Sequence, residues 1–272
     1  MRSAIRAAAL TVALATGRCA GTITPPKVSP EQGSAREALL VLPGLGYNGD
    51  GERAIKALSP AMRADGIDLY VPAYVARGGL DRSQDALREF IREQHLDRYA
   101  RVHVFAFLAG GWTLNSIVQD AELLPNLASV VYDRSPYQER APRIGADKFK
   151  ILAWLRYGSV LFDLARTPYP PLSRPDVKIG LLVETTPTSF VRKHQKTARA
   201  YGPFAFDCTA FAQPHDDCMF VPLNHAELYT RFAEVWPEVR AFIRHHRFSG
   251  LAQRTPPRED ALASPTASRG AR

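Results

Sequence analysis

Short runs made wholly of apolar residues recur along this chain. Each is followed by a loop and then by a segment whose apolar residues return every three or four positions. The first run is Ala38-Leu39-Leu40-Val41-Leu42. With no polar residue on either face, it predicts a strand buried on both sides, a state that parallel sheets impose and half-exposed hairpins do not. Leu69–Pro72, Arg101–Phe107, Leu127–Tyr132, Val177–Glu184 and Phe204–Phe211 read as further strands. Between them, Glu52–Asp65 carries Ile55, Leu58 and Met62 at helical spacing and ends at Gly66. Asp81–Gln94 carries Leu87, Phe90 and Ile91, with Ser83 as its cap. Gly111–Gln119 is a third helix, and Ala226–His245 places Leu228, Phe232, Val235, Val239 and Phe242 on one face. Strands alternating with helices predict right-handed β-α-β units, hence a mainly parallel sheet with helices on both faces.

The 272 residues are 46% hydrophobic and 23% charged, which suits one large α/β domain over residues 37–247. The net charge is +8, but the basic residues are scattered and form no block interleaved with aromatics, so a nucleic-acid partner is not expected. Arg2 and Arg6 precede the run Ala7–Ala15, which is far short of the ~20 residues needed to cross a membrane. Residues 1–20 therefore read as an export signal, and the protein as one of a bacterial periplasm or cell envelope. A membrane attachment is expected only through lipid on Cys19, and Arg18 stands where a lipid-attachment signal carries a small residue. Cys208 and Cys218 read either as one disulfide, in keeping with export, or as two separate thiols. The chain has no CxxC or HExxH pattern, and no metal or other cofactor is expected; His215-Asp216-Asp217 reads as a solvated turn.

Residues 21–36 are rich in Pro, Ser and Gly and read as a linker. Residues 248–272 have little apolar content and read as a disordered tail. Residues 136–176 interrupt the strand–helix rhythm with aromatics and prolines, and are expected to form a lid over the carboxyl end of the sheet. Tyr137, Trp154, Tyr157, Phe162, Tyr169 and Pro170 either line an apolar pocket or pack the lid onto the body.

Four loops carry a resemblance. Leu42-Pro43-Gly44-Leu45-Gly46 follows the first strand. Ala106-Phe107-Leu108-Ala109-Gly110 lies over a G-x-S-x-G pattern. Asp133-Arg134-Ser135-Pro136 follows the next strand, and Asn224-His225-Ala226 precedes the last helix. In this order the chain, from about residue 37 to 247, resembles the α/β-hydrolase superfamily and its lipase- and esterase-like branch. The resemblance implies a three-layer fold with a lid. It also implies backbone N–H groups of Leu45 and Ala109 facing a substrate oxygen, a nucleophile at position 108, an acid at position 186 and a catalytic base at His225.

Two of those positions hold residues without the required chemistry. Leu108 has no lone pair and forms no acyl intermediate. Thr186 carries no charge at neutral pH; Glu184 is the substitute acid, with Asp216 or Asp217 behind it. Ser135, Cys208 and Cys218 are the remaining, weaker nucleophiles. His225 is then either a relic packed beneath a helix start or a retained base. The expected function is that of a catalytically inactive hydrolase-like protein of the envelope. It would bind an apolar or acyl-bearing ligand or an envelope protein partner. The alternative is an active ester hydrolase or acyltransferase with a displaced nucleophile.

Overall fold

A computed structural model of the chain describes residues 21–26, 36–119 and 121–256. The expected export signal and Cys19 lie outside the described residues, as do most of the expected linker and the last part of the tail. Six strands form one all-parallel sheet: β1 (Glu37–Leu42), β2 (Ile67–Tyr70), β3 (Arg101–Ala106), β4 (Leu127–Arg134), β5 (Lys178–Glu184) and β6 (Asp217–Val221). Their spatial order is β2-β1-β3-β4-β5-β6.

The wholly apolar run of β1 is explained by two cores, one on each face of the sheet. Leu39 and Val41 enter the core that contains Phe105, Leu182 and Phe232. Ala38, Leu40 and Leu42 point the other way, into the core with Val104, Leu114 and Tyr132. Because side chains alternate along a strand, a strand covered on both faces needs an apolar residue at every position.

Several sequence expectations shift at the level of elements. Glu52–Asp65 is two helices, α1 (Gly49–Lys56) and α2 (Ser59–Ala64), because Pro60 cannot continue the first and instead starts the second. Helix α3 (Leu80–Glu93) begins before Ser83, whose hydroxyl donates back to the Gly79 carbonyl instead of capping the helix start. Helix α4 (Leu108–Ile117) starts three residues earlier than its sequence pattern suggests. After β6 come α10 (His225–Thr230) and α11 (Phe232–His245), two helices where one was expected.

Phe204–Phe211 is not a strand. It is a loop holding Cys208, while the sixth strand runs through Asp217, the predicted solvated turn. Cys208 and Cys218 form a disulfide with an S–S distance of 2.01 Å, which ties that loop to β6. The start of the tail is also ordered: Phe248 and Ala252 are buried in the core that contains Phe105 and Phe232, and Phe220 bridges Gln253.

The insertion between β4 and β5 contains three helices, α5 (Ala141–Lys148), α6 (Lys150–Tyr157) and α7 (Val160–Arg166). Helices α8 (Ser189–Lys193) and α9 (Gln195–Ala200) follow β5 and lie against the insertion, with Phe190 facing Phe149. Together they stand over the carboxyl ends of β3, β4 and β5, where the loops of the resemblance converge.

Candidate functional site

The turn from β3 into α4 sets the floor of the site. Ala106 is fully buried. A Cβ added at Gly110 would meet the Leu42 carbonyl oxygen at 2.4 Å, so position 110 admits only glycine. The small residues of the pattern are thus explained by close packing against β1. The apex differs from a nucleophile elbow. Phe107 is extended at φ −65° and ψ 160°, and Leu108 opens α4 with an ordinary backbone. Among the described residues the only non-glycine positive φ values are at His95 and His246. The strained backbone that would thrust a side chain into the cleft is therefore not built. Leu108 lies in the cleft wall with Trp112, Leu164 and Val160 behind it.

His225 opens α10, where Asn224 and Glu227 form a reciprocal capping box that fixes the turn. Its Nδ1–H is shared between two carboxylates, Asp133 Oδ2 at 3.0 Å and Glu184 Oε1 at 3.0 Å. Both acids are completely buried at the ends of β4 and β5, and Asp133 Oδ1 and Glu184 Oε2 have no hydrogen-bond partner. Burial and the neighbouring Asp133 push the Glu184 carboxyl up to about 8. Burial opposes the charge of His225, but the two carboxylates more than offset it and push the imidazole up to about 10. Two buried acids this close disfavour being ionised together, and their charge favours the protonated form of the imidazole.

The outer nitrogen of His225, Nε2, lies 3.4 Å from the Tyr229 hydroxyl, one helical turn further along α10. That hydroxyl accepts a hydrogen bond from the Gly44 N–H at 2.8 Å. The Tyr229 ring stacks on Phe107 at 4.2 Å, and Phe107 meets His225 edge-on at 5.7 Å. This contact accounts for an aromatic residue at position 107. Burial holds the Tyr229 phenol far above its ordinary range, so it acts as a neutral donor or acceptor and not as a phenolate.

Glu184, the substitute acid, is in place, and Thr186 is not among the groups bonded to His225. Asp133 was missed. Its signal was present, since an acid ending an otherwise apolar strand has no solvent to face. Tyr229 was also missed, although its spacing of four from His225 puts the two on one helix face. Ser135 does not approach His225. Its buried hydroxyl accepts from the Gln138 N–H at 3.1 Å and closes its own turn. The disulfide removes Cys208 and Cys218 as nucleophiles. Asp216 binds Lys178 and the Ile179 N–H, and Asp217 binds the Cys218 and Phe248 N–H groups, both away from the histidine.

Leu45 and Ala109 both line the cleft. Ala109 is in the first turn of α4, so its N–H has no acceptor within the helix. The cleft measures about 610 Å³ and runs from Leu45 and Leu108 past His225 and Tyr229 to the lid residues Leu152, Tyr157 and Leu161. Of the lid aromatics, Phe149 and Tyr157 line it. Tyr137 packs under Phe204 and Phe206, Tyr169 packs on Trp112, and Trp154 is exposed. Nδ1 of His225 and one oxygen each of Asp133 and Glu184 lie within 4.8 Å of one another, the spacing of a three-ligand metal set. The 3.0 Å contacts are hydrogen-bond lengths with a proton on Nδ1, and the cluster is accordingly described as a proton-sharing one.

No protein-family model matches the chain, and no curated protein matches it. Solved structures do. A structure of the metagenome-derived lipolytic enzymes LipS and LipT superposes with a TM-score of 0.52 at 10% identity, over 84% of this chain and 99% of that one. The mature Bacillus licheniformis lipase BlEst2 gives 0.51 at 11% identity, over 80% and 97%. The chain has the α/β-hydrolase fold. Within this fold His225, the two acids beside it and the glycine loop lie together, and Leu108 stands on an unstrained turn at the start of α4.

Proposed function

We propose that this protein is a non-hydrolysing binder that takes an apolar or acyl-bearing molecule into the cleft above Leu108. The observation that carries this reading is the apex itself, where an aliphatic side chain lies in the wall of a mostly apolar cleft. Covalent catalysis needs an activated hydroxyl or thiol there. The imidazolium–carboxylate cluster and the Tyr229–Gly44 bond supply a polar end that would meet a ligand's carbonyl or carboxylate. The disulfide supports an oxidising, exported setting.

The test is twofold. The purified protein is expected to leave p-nitrophenyl esters unhydrolysed and to resist a fluorophosphonate probe, while binding a medium-chain fatty acid with one-to-one stoichiometry by calorimetry. Stoichiometric labelling of a serine would refute it. The second reading, an active ester hydrolase or acyltransferase, draws on the acids bonded to His225, a relay that a relic has no need to keep. It predicts turnover that is lost in His225→Ala.

A further inference from the structure

Among the described residues six large hydrophobic side chains are exposed, and five of them form one surface. Ile151, Leu152, Trp154 and Leu155 are exposed by 46–75% on α6, an eight-residue helix that buries only Ala153. The fifth, Phe190 on α8, joins them through Phe149, with ring centroids 6.1 Å apart. This exposure is not fraying. Arg77 donates to the carbonyls of Leu155 and Arg156 at 2.7 and 2.6 Å and caps the end of α6. Gly158 then turns the chain at φ +71°, where a Cβ would meet the Arg77 carbonyl at 2.1 Å. The helix is held with its apolar residues outward.

The charge around this surface has one sign. Residues 148–156 carry Lys148, Lys150 and Arg156, residues 189–196 carry Arg192, Lys193 and Lys196, and neither stretch holds an acid. None of the six enters a salt bridge among the described residues. The adjoining acids are already engaged: Asp147 by Tyr201 and Arg143, and Glu139, which lines the cleft, by Arg134. Apolar side chains with an exposed tryptophan inside a cationic rim suit a bilayer interface, where the helix lies in the plane and the rim meets anionic headgroups. Leu152, Phe190, Arg156 and Lys193 also line the cleft, so its mouth opens on this same surface.

We infer that α6 and α8 dock the protein on an anionic lipid surface, so that the cleft is loaded from the bilayer. The loading half of this inference rests on the ligand-binding reading above; the docking half does not. The experiment uses vesicles of phosphatidylglycerol and phosphatidylcholine in equal parts, against vesicles of phosphatidylcholine alone. Sedimentation with the anionic vesicles is expected, with a blue shift in tryptophan emission. Trp154 reports that shift, because Trp112 and Trp236 are buried. Each of Lys150→Gln and Lys196→Gln should weaken binding about fivefold, and Ile151→Ser with Leu155→Ser, which leave the cleft lining and Trp154 in place, should abolish it, all with an unchanged melting temperature. Equal binding to both vesicles, no binding, or burial of Trp154 in a dimer formed without lipid would overturn the inference. A docking-deficient variant that still binds a soluble short-chain acid separates this failure from failure of the binding reading.

Discussion

Tyr229→Phe isolates the bond that occupies the glycine loop. The substitution keeps the ring, hence its 4.2 Å stacking on Phe107, and removes one oxygen. That oxygen accepts from Gly44 N–H at 2.8 Å and lies 3.4 Å from His225 Nε2. Removing it leaves a buried N–H without its acceptor, which costs about 1–3 kcal/mol, whereas the loss of volume is negligible. The 3.4 Å contact adds little, being long for a hydrogen bond. For a domain of this size about 1 kcal/mol corresponds to roughly 2–4 °C in Tm, so a fall of roughly 2–12 °C is expected. Chemical denaturation should give the same loss at an unchanged m-value, and the Gly44 amide should exchange faster with solvent. A variant as stable as the parent, with Gly44 exchange unaltered, would refute the claim that this hydroxyl holds the glycine loop. If the freed N–H then receives a ligand oxygen, fatty-acid affinity should rise in the same variant.

Other expectations follow from the same geometry. Stability should fall as pH rises from about 7 towards 10, because Glu184 and His225 are both raised and the folded cluster holds more protons there than the unfolded chain; below about pH 7 the buried His103, shifted downward, works in the opposite direction. Denaturation at stepped pH should show that slope, and Glu184→Gln should flatten its lower part; a stability maximum above about pH 9 would contradict the assignment. Gly110→Ala should cost at least ~3 kcal/mol or prevent folding, since its Cβ would strike backbone and not a movable side chain. Breaking the Cys208–Cys218 bond by a double serine substitution should cost about 2–3 kcal/mol for a loop of ten residues, read by urea denaturation. Leu108→Ser should remain unlabelled by a fluorophosphonate. The acids beside His225 are in place, but position 108 lacks the strained backbone that aims a nucleophile; labelling of the introduced hydroxyl would show that the turn adapts.

The parallel sheet was legible in the sequence because burial on both faces writes itself as an uninterrupted apolar run, as in residues 38–42. The glycine requirement at position 110 and the inert residue at 108 were legible as well, since both are local. The false strand at Phe204–Phe211 shows the limit of the same signal. Phe204 and Phe206 pack on Tyr137 and Phe211 enters the core beside Val104 and Tyr132, and an apolar residue looks the same whichever surface covers it. The true strand, Asp217–Val221, was masked by an acid at its start whose carboxylate is used by the Cys218 and Phe248 N–H groups.

The site divides in the same way. The sequence alone determined that position 108 has no nucleophile and that His225 stands at a helix start, because these are properties of single residues and their neighbours. Only the tertiary structure decided which acids the histidine meets. Asp133 lies 92 residues from it and Glu184 lies 41, and the distance between side chains that remote is set by strand order, not by spacing in the chain. The fold likewise decided that Tyr229 meets Gly44, 185 residues away, and that the apolar residues of α6 face outward. Composition fixes what a residue can do; packing fixes what is beside it and whether water is present.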